Sequence, residues 1–195
     1  REREREPSRR WEGFSGAVIE NDIVGPEHDW ADALKAAPSV NAALFFIDSP
    51  GFYRAAPHAE RIIDLFSRYF ATLAKTDGAV VVHCAAGKDR TGMICALTHH
   101  IAGVHRDDTM ADYLATNAAA DVEKRIEFLG PWIHDLTGVT VDDAGLRQAV
   151  SVHEAFLAEA FSVMVERHGS VDNYLAEVLG VDAALRDKIE ARILG

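Results

Sequence analysis

The chain has 195 residues, 48% of them hydrophobic, enough for one globular domain that buries roughly 70% of its unfolded-chain surface. A net charge of −11 and a pI near 5.2 exclude the basic footprint of a nucleic-acid binder, so an anionic ligand needs a local positive site. Two cysteines, Cys84 and Cys95, give no disulfide framework and suit a reducing, cytoplasmic setting, and no apolar run is long enough for stable membrane insertion.

In chain order, the RERERE opening and the residues up to position 10 read as a solvated charge run. GAVIE (16–20) is a short strand candidate, DWADALKAA (29–37) a short helix, and VNAALFFI (40–47) an apolar run that periodicity does not assign. After Pro57, Ile62, Ile63, Leu65, Phe66, Tyr69, Phe70 and Leu73 recur at helical spacing, and Gly78 ends the element. AVVVH (79–83) is the β-branched run expected of a fully buried strand, and 90–102 returns to helix. Asp107 or Asp108 is placed to cap the next helix, and 122–129, 146–168, 170–179 and 182–194 also read as helical. The sum is a single α/β domain over 1–195: a mostly parallel central sheet, a phosphate-binding loop between strand and helix, and a helix-rich C-terminal half.

The stretch AVVVHCAAGKDRTGM (79–93) asks for more than a turn. A tight loop at the end of a strand aims backbone N–H groups inward, and the helix that follows adds the positive end of its dipole, which together make an anion cradle. Gly87 and Gly92 supply unusual backbone angles and close approach. The loop amides, the dipole and Arg90 all favour the thiolate of Cys84, which makes it a nucleophile. Arg90, six positions on, offers a guanidinium fork for two oxygens of a phosphate, and the Thr91 hydroxyl can donate to the sulfur and stabilise it as a leaving group. Ala85, Ala86, Gly87, Lys88, Asp89, Arg90 and Thr91 are therefore the expected phosphate-binding residues.

HCAAGKDRTG resembles the H-C-x5-R-[ST]-G signature of the protein tyrosine phosphatase superfamily, and its GKDR core is similar to the bacterial branch that includes the mycobacterial type-B enzymes. FYRAAP (52–57), ADYLATN (111–117) and GSVDNYLAEVLGV (169–181) resemble the same branch, so the likeness extends over roughly 150 residues. It implies a phosphatase that works through a phosphoryl-cysteine, on phosphotyrosine proteins and, since GKDR relatives accept them, on phosphoinositides. Relatives carry additional N-terminal strands that this numbering lacks, which leads to the expectation that residues precede Arg1. No W-P-D acid loop is present either.

Protonating the leaving oxygen requires a carboxylic acid within hydrogen-bond reach. Asp22, Asp29, Asp48 and Asp89 are the candidates. The resemblance favours Asp22, in VIENDI, while Asp89 is either the acid or a structural ion-pair partner of Lys88 or Arg90. Lys88 is expected at the rim of the cradle, where it either contacts a second phosphate or neutralises Asp89. His83 is expected to order the loop, Cys95 to be a buried thiol, and Phe45, Phe46, Phe52 and Tyr53 to be mostly core. His99 and His100 lie about 100° apart on a helix, poor geometry for a shared metal, and the chemistry requires neither metal nor other cofactor. The same loop also admits a catalytically weak phosphate-binding module, or arsenate or sulfur chemistry.

Overall fold

The computed structural model describes residues 12–20, 23, 35–36, 50–84, 86–119 and 121–195. The expectations for 29–34, 37 and 40–47, and for Asp22, Asp29, Asp48, Phe45 and Phe46, lie outside them; residues 35 and 36 are helical. The ordered elements are α1 (Pro50–Ala55), a 3-10 turn (Ala56–His58), α2 (Glu60–Leu73), α3 (Asp89–Ile101), α4 (Arg106–Ala119), α5 (Val122–Thr137), α6 (Asp143–Val150), α7 (Glu154–His168), α8 (Val171–Glu177) and α9 (Ala183–Leu194).

The expected α/β fold with a mostly parallel central sheet does not form among the described residues. Among the described residues there is no strand and no sheet. A strand exists only as a member of a ladder, because its N–H and C=O groups must be paired across to a neighbour. Residues 16–20 and 79–83 have no such neighbour among the described segments, and Val81, expected in a dry sheet interior, is 82% exposed. The turn that leads into 79–83 is held by a side chain instead: the Arg192 guanidinium of α9 donates to the carbonyls of Thr76 (2.7 Å), Asp77 (3.4 Å) and Gly78 (2.8 Å).

The helices follow the apolar periodicity more closely. α2 buries Ile62, Phe66, Phe70 and Leu73 on one stripe, and α3 buries Met93, Ile94, Ala96, Leu97 and Ile101. These meet Leu157, Ala160 and Met164 of α7, Tyr174 and Leu175 of α8 and Ile189 of α9 in the main core. A smaller cluster, Ile126, Ile133, Val141, Leu146 and Val150, joins α5 to α6. Asp142, Ser170 and Asp182 cap α6, α8 and α9 by accepting from the N–H groups of Gly145, Asn173 and Leu185. Asp107 and Asp108, by contrast, sit inside the first turn of α4, where they face the positive end of its dipole.

The three stretches that echo the family each perform a packing task. Tyr53 is fully buried in the main core, and Arg54 joins α1 to α7 through Glu159 and Glu166. Asn117 grips the backbone of Val152 from both sides, its Nδ2 donating to the carbonyl (2.9 Å) and its Oδ1 accepting from the N–H (2.7 Å). The buried Tyr174 hydroxyl donates to the carbonyl of Pro57 (2.7 Å), fixing α8 to the 3-10 turn.

His58 and His168 stack with ring centroids 5.3 Å apart, and their Nε2 atoms are 3.1 Å apart. His168 Nδ1 lies 2.8 Å from Glu177 and donates to it, so a neutral His168 accepts at Nε2 and His58 Nε2–H is the donor. Nδ1 of His58 is then a buried lone pair without a partner, and a second proton there has nowhere to go. Burial, then the Arg167 charge and the neighbouring His168 ring, hold His58 below its ordinary value of 6.5. The unfolded chain therefore takes up this proton first. Stability from the pair is complete above about pH 6.5 and is lost as pH falls from there towards the folded-state value. Chemical denaturation followed from pH 8 to pH 5 is expected to show this loss, and His58→Gln, which still donates but does not titrate, is expected to flatten it.

Candidate active site

Cys84, half-buried, follows the run 79–83, and α3 begins five residues later at Asp89 with Lys88 as its N-cap residue. Between them the backbone reverses through Gly87 at φ +69°, a left-handed conformation that favours glycine. Gly92 serves differently. A Cβ there would lie 2.7 Å from both Cδ2 and Cε2 of Tyr113, so only glycine lets the first turn of α3 lie against that ring. Gly92→Ala is expected to cost about 1–3 kcal/mol of stability, read as a shift of the unfolding midpoint.

Burial of Cys84 raises its thiol, but the opposing influences win and the net shift is downward. They are the Thr91 hydroxyl and N–H, the Arg90 charge and the Gly87 N–H. Thr91 Oγ1 is buried and makes no hydrogen bond among the described residues, yet its hydroxyl is the largest of the influences that lower the Cys84 thiol. Cys95 behaves oppositely. Burial and then the Asp112 charge push its thiol up, and both cysteines are free. His83 is exposed, with Nδ1 3.4 Å from the carbonyl of Cys84.

Among the expected phosphate-binding residues, Ala85 lies outside the described set, Ala86 is exposed, and Lys88 is only 6% exposed. The Lys88 ammonium is 3.3 Å from each oxygen of Asp89. Asp89 Oδ1 also accepts from the Tyr53 hydroxyl, and Tyr53 and Tyr113 share a hydrogen bond of 2.8 Å. Burial, followed by the Asp89 charge and by Tyr113, drives the Tyr53 phenol far above its usual range, so it stays a protonated donor. Arg90 is exposed and makes no ion pair among the described residues. The structure therefore brings Cys84, Thr91 and the Arg90 charge together and ties Asp89 to Lys88 and Tyr53. Asp22, Asp29 and Asp48 remain outside the described residues.

Three residues beside the loop carry no sequence signal that assigns them to it. Tyr53 and Tyr113 stand inside FYRAAP and ADYLATN, where the family likeness marks the segments but not their contact. Arg125 of α5 donates to the carbonyl of Ala86 (3.1 Å), and nothing in its local sequence indicates that. Arg125, Lys88 and Ala86 line an open cavity of about 360 Å³ together with Phe128, Leu129, Ala149 and Val150. A larger groove of about 860 Å³ lies elsewhere, between the end of α4 and the starts of α5 and α7; its charged walls, Glu123 and Arg147, are paired to each other. No group of three potential metal ligands occurs among the described residues, and none of their helices is long and apolar enough to cross a membrane.

The sequence matches the tyrosine phosphatase family over residues 1–195. It is 31% identical over 134 residues to the triple specificity protein phosphatase PtpB of Mycobacterium tuberculosis, covering 64% of this chain and 47% of that protein. It is 32% identical over 115 residues to a Cupriavidus necator protein provisionally named a tyrosine-protein phosphatase, covering 59% and 40%. A tyrosine-protein phosphatase of Nostoc commune is 45% identical over 49 residues, covering 25% and 17%. The chain thus spans less than half the length of these relatives. A thiol lowered by a glycine-bent loop and the start of a helix is the local feature, and the match over residues 1–195 extends it to the whole sequence: the chain belongs to the tyrosine phosphatase family.

Proposed function

We propose that this chain is a cysteine-dependent phosphatase domain acting on phosphotyrosine proteins and phosphoinositides. The observation that carries the reading is the loop itself: Cys84 lies five residues ahead of α3, and Thr91, the Arg90 charge and the Gly87 N–H lower its thiol. The Cys84 sulfur attacks phosphorus as the bond to the leaving oxygen breaks, while Arg90 and the loop amides bind the equatorial oxygens. The leaving oxygen takes a proton from a carboxylic acid, a role for which the family resemblance favours Asp22. Water then attacks phosphorus and returns a proton to that carboxylate. The sulfur–phosphorus bond breaks, releasing inorganic phosphate and the thiolate, which Thr91 stabilises. Asp89, held by Tyr53 and Lys88, serves the loop's shape.

Turnover of p-nitrophenyl phosphate in the presence of a chelator tests the reading. Hydrolysis no faster than that of a Cys84→Ser control would sink it and leave a phosphate-binding module.

Substrate breadth rests on Lys88 and Arg125, two cations lining the cavity beside the loop. A phosphoinositide carries phosphates beyond the one being cleaved, and a phosphotyrosine does not. The triple specificity in the name of the mycobacterial relative is consistent with such a site. Lys88→Ala is expected to lower phosphoinositide turnover about tenfold more than phosphotyrosine-peptide turnover, the size of one lost charge-assisted hydrogen bond. Equal losses on the two substrates would instead make Lys88 a support for Asp89.

A further inference from the structure

Asp89 creates a difficulty for any anion held by this loop. It stands one residue before Arg90 in the first turn of α3, where the long Arg90 side chain can reach it and where its negative charge acts on any phosphate held by the loop. In the structure it does not pair with Arg90. Its Oδ1 accepts from Tyr53, both of its oxygens lie 3.3 Å from the Lys88 ammonium, and Arg90 forms no ion pair among the described residues.

Tyr53 is built to hold this position. Its side chain is fully buried, its ring stacks on Phe156 (centroids 5.3 Å apart, planes 24° apart) and takes an edge contact from Phe52. Tyr113 fixes its hydroxyl from the other side at 2.8 Å, and the missing side chain at Gly92 is what lets Tyr113 stand there. The hydroxyl thus has little freedom except to point at Asp89.

We propose that Tyr53, backed by Tyr113, is a positioning residue for anion binding: it restrains the Asp89 carboxylate and so leaves the Arg90 guanidinium open to phosphate. The inference rests on the phosphatase reading above and deepens it. Tyr53 touches neither substrate nor sulfur in this scheme. Its effect passes through a negative charge, which separates it from a residue that only packs. Removing the hydroxyl should weaken phosphate binding while Asp89 keeps its charge, and should do nothing once that charge is gone.

The test measures competitive inhibition of p-nitrophenyl phosphate hydrolysis by inorganic phosphate, with direct calorimetric phosphate binding alongside. Tyr53→Phe is expected to raise the phosphate Ki about tenfold or more, the range of a charge-assisted contact. In an Asp89→Asn background the same Tyr53→Phe change is expected to leave Ki within about threefold, whatever Asp89→Asn does to turnover. That comparison also keeps the test open should Tyr53→Phe alone fail to fold. An unchanged Ki in Tyr53→Phe, or a loss of equal size with and without the Asp89 charge, overturns the proposal while leaving the phosphatase reading intact. A wild-type chain that neither hydrolyses the ester nor binds phosphate overturns both.

Discussion

Cys84→Ser is expected to lower p-nitrophenyl phosphate turnover by at least about 10³-fold while phosphate affinity stays within a few-fold of wild type. The asymmetry comes from what the substitution removes. A serine hydroxyl fits the loop and leaves the backbone amides and Arg90 in place, so the anion is still held. Yet its oxygen is not ionised at neutral pH, and the hydrogen bonds and charge that lower the Cys84 thiol cannot bring an alcohol into that range. Steady-state rates and phosphate inhibition on the same preparations check both halves. A serine variant with wild-type turnover would move the nucleophile elsewhere.

Arg90→Lys is expected to be nearly as damaging, by about 10² to 10³-fold in kcat/KM, although it preserves the charge. Lysine lacks the planar fork that grips two phosphate oxygens at once, and its ammonium is a strongly hydrated point charge. Arg90 also contributes to lowering the Cys84 thiol, a charge effect that a lysine partly retains. The pH at which iodoacetamide alkylates Cys84 should therefore shift upward much less in Arg90→Lys than in Arg90→Ala, while both lose phosphate affinity. Equal alkylation profiles in all three proteins would contradict the electrostatic role of Arg90.

What can be read from sequence divides along the line between local and distant causes. α2 and α3 follow from apolar spacing because a helix pairs its backbone within itself, and the loop follows because Cys84, Gly87, Arg90 and Thr91 are close neighbours in the chain. The residues 79–83 show the opposite case. Their β-branched composition suits a buried strand, but composition cannot provide the adjacent ladder, and Val81 stands in solvent. The break between α6 and α7 is hidden in an apolar run that reads as one helix over 146–168. Val150 and Val152 are both buried there, and the interruption is secured by Asn117, 35 residues away.

The surroundings of the loop are hidden for the same reason. Tyr53 meets Asp89 across 36 residues, and Arg125 meets Ala86 across 39. Tyr53 reads as core, and it is: its ring is buried and only its hydroxyl reaches the loop. Its likeness to family sequences marks the segment, but the partner of that hydroxyl becomes visible only when α1, α3 and α4 come together.

Formation of a phosphoryl-cysteine at Cys84 is the central claim, and trapping that species tests it most directly. Enzyme mixed with p-nitrophenyl phosphate is quenched in acid during turnover, digested, and its peptides are weighed by mass spectrometry. The mass of one added phosphoryl group is expected on the peptide that holds Cys84, and is expected to be absent from the Cys84→Ser protein. Turnover with no adduct at Cys84, or with the phosphoryl group on another residue, would contradict the claim.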